Sequence, residues 1–187
     1  MVPLIILAIF AIMVIWAIAK YNGLVTLRNQ VSNGWKQIDV QLKRRHDLIP
    51  NLVNTVKGYM QYEQDTLRQV IEARNSAISA KGVADAAAKE GELSHVLTRF
   101  FALMENYPNL KANENVRQLQ EELTSTENKI SFARQFYNDI ATKFNISQQV
   151  FPDNIIANMF SFQPAELFQV EKAEEREVPK VDLTMKK

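Results

Sequence analysis

The sequence predicts an all-α protein in which an N-terminal transmembrane helix is followed by an antiparallel bundle of about four long helices. The first nineteen residues carry no charged side chain, and glycine and proline are sparse, at 5 and 6 in 187 residues. Beyond them, apolar residues recur every three or four positions, which places them on one face of a helix. No segment alternates with a period of two, so we expect no sheet.

The apolar N-terminal run, "MVPLIILAIFAIMVIWAIA" (residues 1–19), is just long enough, at about 1.5 Å per residue, to cross a hydrocarbon core of roughly 30 Å. A cleaved signal peptide is the alternative, because Ala17, Ile18 and Ala19 resemble a small-x-small cleavage site. However, no basic residue precedes the run, and the run exceeds the usual apolar core of a signal peptide. We therefore expect a retained anchor that holds the chain in the lipid bilayer through residues 1–19.

The charges that flank this anchor predict its orientation. Basic residues dominate residues 20–45, with Asp39 as the one acid, whereas only the α-amino group precedes the span. Because cytoplasmic flanks of membrane spans are enriched in lysine and arginine, we expect the N-terminus outside and the body of the protein in the cytoplasm.

Four apolar stripes predict the bundle domain, which we assign to residues 20–163. They cover residues 24–42, 49–77, 93–107 and 116–144, and an alanine-rich connection over residues 82–91 separates the second from the third. Such regular spacing is typical of a four-helix bundle or coiled coil. We expect the third helix to end at Tyr107-Pro108, Asn113 to cap the fourth, and a short amphipathic helix to run from Pro152 to Phe160. Residues 164–187 are charged and aperiodic, so we expect an extended or mobile tail.

The stretch "KRRHDLIPNLV" (residues 43–53) is interpreted as the corner, or a sharp kink, between the first and second helices. Pro50 fits the first turn of a helix, Asp47 is placed to cap it, and Asn51 can help to close the turn. His46 beside Asp47 is also the pattern of a general base held by a carboxylate. Adjacent side chains diverge on a helix or turn, however, and no nucleophile has a defined position nearby, so we favour the structural corner.

The chain resembles the LemA family of bacterial membrane proteins across nearly its whole length. The matching stretches, in order, are the apolar N-terminus followed by "YNGLVTLRNQV", then "RRHDLIPNLV", "YPNLKANENVRQLQEEL", "TENKISFARQFYNDIATKFN" and "FPDNIIANMF". The resemblance implies one N-terminal span in the bacterial inner membrane, a helical bundle in the cytoplasm, and no established enzymatic activity. Some members of the family belong to magnetosome membranes.

A metal or cofactor site is not expected. The sequence has no cysteine and two histidines, and a di-iron bundle needs two E-x-x-H motifs with further carboxylates. Glu92 and His95 form one such motif, but His46 has Lys43 three residues before it, so the second motif is missing. We therefore expect Glu92 and His95 to face solvent, and we predict no cofactor.

Polar residues on or beside the stripes are the candidate structural or interaction residues. The set comprises Arg44, Arg45, Asp47, Pro50, Asn51, Glu63, Arg74, Thr126, Glu127, Asn128, Arg134, Tyr137 and Asn138. One hypothesis is that opposite charges on different helices pair inside the bundle and fix its register. The alternative is a binding groove. The basic run at residues 43–45 could also touch anionic headgroups, but a solvated helix end is the preferred interpretation.

These observations favour a membrane-anchored helical scaffold or interaction protein without catalytic activity. The fourth stripe is much longer than the third, so an apolar seam would stay uncovered in one chain. We therefore expect a homo-oligomer, with another membrane protein as a further possible partner and, given a net charge of +1, no nucleic acid. Aromatic residues of the tail could dock on a neighbouring chain, or the tail could fold back onto its own chain. The alternative function is a membrane-bound enzyme or metal-binding bundle that uses His46 and Asp47, or Glu92 and His95.

Overall fold

The computed structural model describes residues 1–169, and the backbone of this part of the chain forms helices and no strand. The helices are α1 (Val2–Val56), α2 (Gln64–Ile78), α3 (Gly82–Met104), α4 (Pro108–Lys111), α5 (Glu114–Gln149) and α6 (Asp153–Met159). Four of them, α1, α2, α3 and α5, are long and pack as a bundle. The predicted all-helical bundle behind an apolar N-terminal helix is therefore confirmed.

Helix α1 is one continuous helix of 55 residues, which at 1.5 Å per residue is about 82 Å long. Its most apolar window is uncovered by the rest of the chain and is long and apolar enough to cross a membrane. From Leu24 onward one face is buried, and Ile38, Leu42 and Ile49 lie on it. The predicted boundary between an anchor (residues 1–19) and a bundle (residues 20–163) falls inside this helix and stays a prediction.

The predicted corner at residues 43–53 is wrong, because α1 continues through Pro50 to Val56. A proline inside a helix cannot donate to the carbonyl four residues earlier and costs roughly 3 kcal/mol. Here that carbonyl belongs to His46, and the Arg74 Nε–H of α2 donates to it at 2.6 Å. Ile49 and Leu52, on either side of Pro50, are fully buried. Packing and the replacement donor therefore keep the helix intact, and Asp47 and Asn51 are exposed helix residues rather than a cap.

The second predicted helix is also divided differently. Its first two turns, through Val56, belong to α1, a turn follows over residues 57–63, and α2 begins at Gln64. The alanine-rich stretch is not a connection, since α3 begins at Gly82, which has a φ of 80°. Alanine is the strongest helix former, and the small side chains of Ala86 and Ala87 are buried in the same cluster as Ile38 and Leu42 of α1. The helix therefore extends about three turns further than predicted.

Helix α5 runs antiparallel to α1 along most of the bundle. Its predicted cap is confirmed, because Asn113 Oδ1 accepts the backbone N–H groups of Asn115 and Val116 at 3.0 and 3.3 Å. Near its middle the two helices approach closely: a Cβ added to Gly34 of α1 would lie 3.5 Å from the Tyr137 backbone. A methyl group at position 34 would therefore be in ordinary van der Waals contact with Tyr137.

The predicted short helix after Pro152 is confirmed as α6. Beyond it the chain is extended and returns along the bundle, where two amides of α5 pair with its backbone. Asn145 accepts from the Ala165 N–H at 2.7 Å and donates to the Ala165 carbonyl at 2.8 Å. Asn138 makes the same pair of bonds to Phe168, at 2.8 and 3.0 Å.

The extended stretch packs its aromatic side chains against its own chain. Phe168 is buried with Trp35 and Tyr137, and Phe162 packs near Leu24 and Phe144. The predicted tail therefore begins as an ordered segment through residue 169. Its remainder, residues 170–187, lies outside the described residues.

Candidate functional site

A buried ion cluster, formed by Arg45, His46, Glu90, Ser94 and Glu127, lies where α1, α3 and α5 meet. The side chain of Arg45 is 3% exposed. Its guanidinium donates to Ser94 Oγ at 2.8 Å and contacts a Glu127 carboxylate oxygen at 2.8 Å. Glu90 Oε2 accepts no hydrogen bond, and the Arg45 charge at 3.5 Å stabilises it. One arginine thus connects three helices.

His46 occupies the opposite side of Glu90. Its Nε2 lies 2.6 Å from Glu90 Oε1, within hydrogen-bond distance. The neighbouring Asp47 is exposed, so the two adjacent side chains diverge. The carboxylate that orients the imidazole therefore comes from a residue 44 positions away.

The electrostatics of the cluster favour a structural role. Glu90 is almost entirely removed from water, while the side chain of Glu127 is 45% exposed. A buried charge is costly unless it is paired and hydrogen-bonded, and Arg45 supplies the paired charge for both carboxylates. Ser94 Oγ, the one hydroxyl of the cluster, lies 3.4 Å from Glu127 Oε1 as well as near Arg45. The arrangement can therefore hold three helices together through one guanidinium.

An open cleft of about 550 Å³ borders the cluster, between α1 and the turn that joins α2 to α3. His46, Asp47 and Glu90 contribute polar groups to it, and Trp35 and Leu42 contribute apolar ones. Within residues 1–169 no group of three or more histidine or acidic side chains is placed to hold a metal ion. Glu92 and His95 both face solvent. The cleft therefore offers space for a small molecule without an evident ligand set for a metal.

Three of the candidate residues predicted from the sequence meet at or beside the cluster: Arg45, Arg74 and Glu127. Others lie apart from it. Arg44 forms a half-exposed pair with Glu122 of α5, and Asn128 is exposed. The buried Thr126 Oγ1 donates to the Glu122 carbonyl of its own helix. Opposite charges on different helices thus do pair, and Arg45 with Glu127 is one example. That such pairs fix the register of the helices stays a prediction.

Glu63 lies at the far end of the bundle, where it accepts a hydrogen bond from Tyr107 Oη at 2.9 Å. This hydrogen bond stabilises the neutral phenol and raises the pKa of Tyr107 above its usual value. The contact joins the turn before α2 to the turn after α3. Glu63 therefore lies apart from the ion cluster.

A second group of candidates, Arg134, Tyr137 and Asn138, binds the extended segment after α6. The Arg134 guanidinium lies over the Phe168 ring at 4.6 Å from its centroid, and Tyr137 Oη donates to the Glu166 carbonyl at 2.7 Å. Burial raises the pKa of Tyr137, and the Glu166 charge raises it further. These residues hold their own chain.

Sequence reasoning missed Glu90, Ser94 and Asn145. Glu90 was hidden because residues 82–91 were interpreted as a connection. Had they been interpreted as helix, the spacing of Ala86, Glu90, Leu93 and Leu97 would have placed this acid on the buried stripe. Asn145 gave no such signal, because its partner is the backbone of a segment 20 residues further along the chain.

An apolar groove lies between α1 and α5 on the flank of the bundle. Val40, Phe132 and Phe136 line it, with exposed fractions of 62%, 73% and 47%. The groove has a volume of about 590 Å³, and Lys36 and Lys129 are among its remaining residues. Contiguous apolar surface of this kind is typical of interaction sites.

Comparison with known proteins supports the family resemblance. The sequence profile of the LemA family matches residues 34–183. Protein LemA of Metamycoplasma hominis is 25% identical, over 89% of this chain and 76% of that protein. Magnetosome protein MamQ 2 of Paramagnetospirillum magneticum is 24% identical, over 82% of this chain and 66% of that protein. Magnetosome protein MamQ of Magnetospirillum gryphiswaldense is 21% identical with the same coverage. None of these names specifies a catalytic activity. The matched profile covers most of the chain, and the chain belongs to the LemA family.

Proposed function

We propose that this protein is a membrane-anchored helical interaction protein that acts without catalysis and assembles with copies of itself. The observation that carries the proposal is the apolar groove on the flank of a bundle whose first helix continues into an uncovered apolar segment. Exposed phenylalanines cost solubility, so Phe132 and Phe136 are best explained by a partner that covers them.

A second copy of the chain is the partner that this arrangement favours. Copies anchored in one membrane share an orientation and a raised local concentration, which populates even weak lateral contacts. Under a two-fold axis along the membrane normal, α5 of one copy can face α5 of the next, with Phe132 and Phe136 near the axis. Another membrane protein seated in the groove is the alternative partner.

The anchor and its orientation belong to the same proposal. Residues 1–19 would cross the bacterial inner membrane, with the N-terminus outside and the bundle in the cytoplasm. The charge asymmetry around the span supports this orientation, since Lys20 and the basic residues that follow it outnumber Asp39 in residues 20–45.

Cysteine crosslinking tests the assembly. The chain has no native cysteine, so a thiol introduced by Phe132→Cys is unique and can be crosslinked in native membranes. We expect an adduct of two copies, and we expect none from Tyr62→Cys, which is exposed at the far end of the bundle. An adduct with a different protein would instead identify a hetero-partner.

Mass measurement supplies an independent test. Mass photometry of the detergent-solubilised full-length protein should show an oligomer. The double variant Phe132→Ser/Phe136→Ser should be monomeric, whereas Tyr62→Ser should remain oligomeric. Self-assembly would be contradicted if the wild-type protein gave a single population at monomer mass and Phe132→Cys gave no crosslinked adduct of two copies.

A further inference from the structure

The short helix α6 carries an apolar face that the bundle leaves uncovered. Phe151 and Met159 are 79% and 69% exposed, and Ile155 and Phe160 are about half exposed. Phe151, Ile155 and Met159 are spaced four residues apart. The opposite side of α6, with Ile156 and Ala157, is buried against Leu24 and Phe144. We call the four exposed residues the outer face of α6.

This face lies beside α1 at the point where its uncharged segment ends. Lys20 Nζ forms an ion pair with Asp153 at 2.8 Å, which fixes the start of α6 next to the first charge after that segment. The rings of Tyr21 and Phe160 are 4.6 Å apart. Ala17, inside the uncharged segment, also packs against the cluster that contains Ile156.

The position of α6 along α1 determines its depth relative to a bilayer. Residues 2–19 span about 27 Å at 1.5 Å per residue, close to the thickness of the hydrocarbon core. Lys20 is then at the boundary between hydrocarbon and headgroups, and α6 lies at the same level. Tyrosine and tryptophan are enriched at this level in membrane proteins, and Trp16 and Tyr21 flank the boundary here.

We propose that the outer face of α6 rests in the interfacial layer of the bilayer, so that the bundle contacts the membrane through a second element besides the anchor. The occupant of this face is lipid, because the face is continuous with the segment that crosses the membrane. Exposed apolar side chains at this level can insert at the boundary between headgroups and acyl chains, where burial of apolar area favours binding. The inference rests on the anchor of the proposed function but not on self-assembly.

Fluorescence quenching in vesicles tests the contact. Met159→Cys is labelled with an environment-sensitive fluorophore in the full-length protein, which is reconstituted into phosphatidylcholine and phosphatidylglycerol vesicles. Nitroxide groups on the lipids, either near the headgroup or near the end of the acyl chain, then report the depth of the label. Val14→Cys in the uncharged segment and Tyr62→Cys at the far end of the bundle are the matched controls, and Ile155→Cys repeats the measurement on α6.

We expect the labels at Met159 and Ile155 to be quenched most by the nitroxide near the headgroup. The label at Val14 should be quenched most by the nitroxide at the chain end, and the label at Tyr62 by neither. Quenching at Val14 without quenching at Met159 and Ile155 would overturn the contact while leaving the anchor intact. Blue-shifted emission at Met159 without lipid quenching would overturn it too, and would assign the face to a protein contact. Absence of quenching at Val14 as well would overturn the anchor and this contact together.

Discussion

At the scale of single residues, Arg45 is the side chain that contacts Glu90, Ser94 and Glu127 of the ion cluster. Removing it leaves the buried Glu90 without the arginine charge that lies 3.5 Å from Oε2, and with only the His46 contact at Oε1. Breaking a buried pair in this way costs about 3–5 kcal/mol. Arg44, the preceding residue, pairs at the surface, where removal costs at most about 1 kcal/mol.

We therefore expect Arg45→Met to lower the free energy of unfolding of the detergent-solubilised chain by about 3–5 kcal/mol, and Arg44→Ala to change it little. Arg45→Met combined with Glu90→Leu should recover most of the loss, because it leaves no unpaired charge in the interior and Glu127 is partly solvated. Chemical denaturation measures all three variants. A double variant as unstable as the single one would show that the ion cluster itself, rather than the avoidance of an unpaired charge, stabilises the fold.

Tyr137 is expected to make the stability of the bundle decrease at alkaline pH. Burial raises the pKa of this phenol above its value of 10.0 in a free chain, so the folded state favours the neutral form. The resulting stability is fully present below the unfolded pKa and is lost as the pH rises through the folded one. We expect Tyr137→Phe to flatten the fall in unfolding free energy above about pH 10. Tyr62→Phe, at an exposed tyrosine, should leave the profile unchanged, and an unaltered slope in Tyr137→Phe would contradict the prediction.

At the scale of helices, the continuity of α1 depends on a contact from α2. Pro50 leaves the His46 carbonyl without its helical donor, and Arg74 replaces that donor. Arg74→Ala should therefore cost about 1–3 kcal/mol, the price of a buried acceptor left unsatisfied. In a Pro50→Ala background the residue 50 N–H can bond to the same carbonyl, so the cost of Arg74→Ala should shrink.

A double-mutant cycle on Pro50 and Arg74 measures this dependence as an interaction energy. Chemical denaturation of the wild type, the two single variants and the double variant completes the cycle. Equal costs of Arg74→Ala in both backgrounds would show that the guanidinium acts independently of the missing N–H. Lys57→Ala, on the exposed final turn beyond Pro50, is the control that should add to either change.

The contact between Arg74 and the His46 carbonyl shows which parts of the fold could be predicted from the sequence and which could not. Helices α5 and α6 and the apolar segment were predictable because their signals are local: an apolar period, an asparagine cap and a proline at the start. The path of α1 was not, since the group that compensates Pro50 comes from a residue 28 positions from His46. The ion cluster was only partly predictable for a similar reason, because Glu90 and Ser94 meet Arg45 solely through the packing of separate helices.

At the scale of the whole molecule, the orientation of the chain is open to a direct test. A membrane-impermeant thiol reagent applied to intact cells should label Val2→Cys and spare Tyr62→Cys, because the first position would lie outside and the second inside. Permeabilised cells, in which both positions should react, are the control. Labelling of position 62 alone in intact cells would reverse the proposed orientation.

Because α1 is one continuous helix, a change in the tilt of its apolar segment displaces the far end of the bundle. From Lys20 to Val56 the helix extends about 54 Å at 1.5 Å per residue, and α5 packs along it. A change of about 10° in the tilt of the apolar segment, well within the range that membrane helices adopt, moves the far end sideways by about 9 Å. Bilayer thickness influences the tilt of a spanning helix. If residues 1–19 span a bilayer as proposed, a difference of a few ångströms in its thickness would therefore produce a larger displacement at the far end of the bundle.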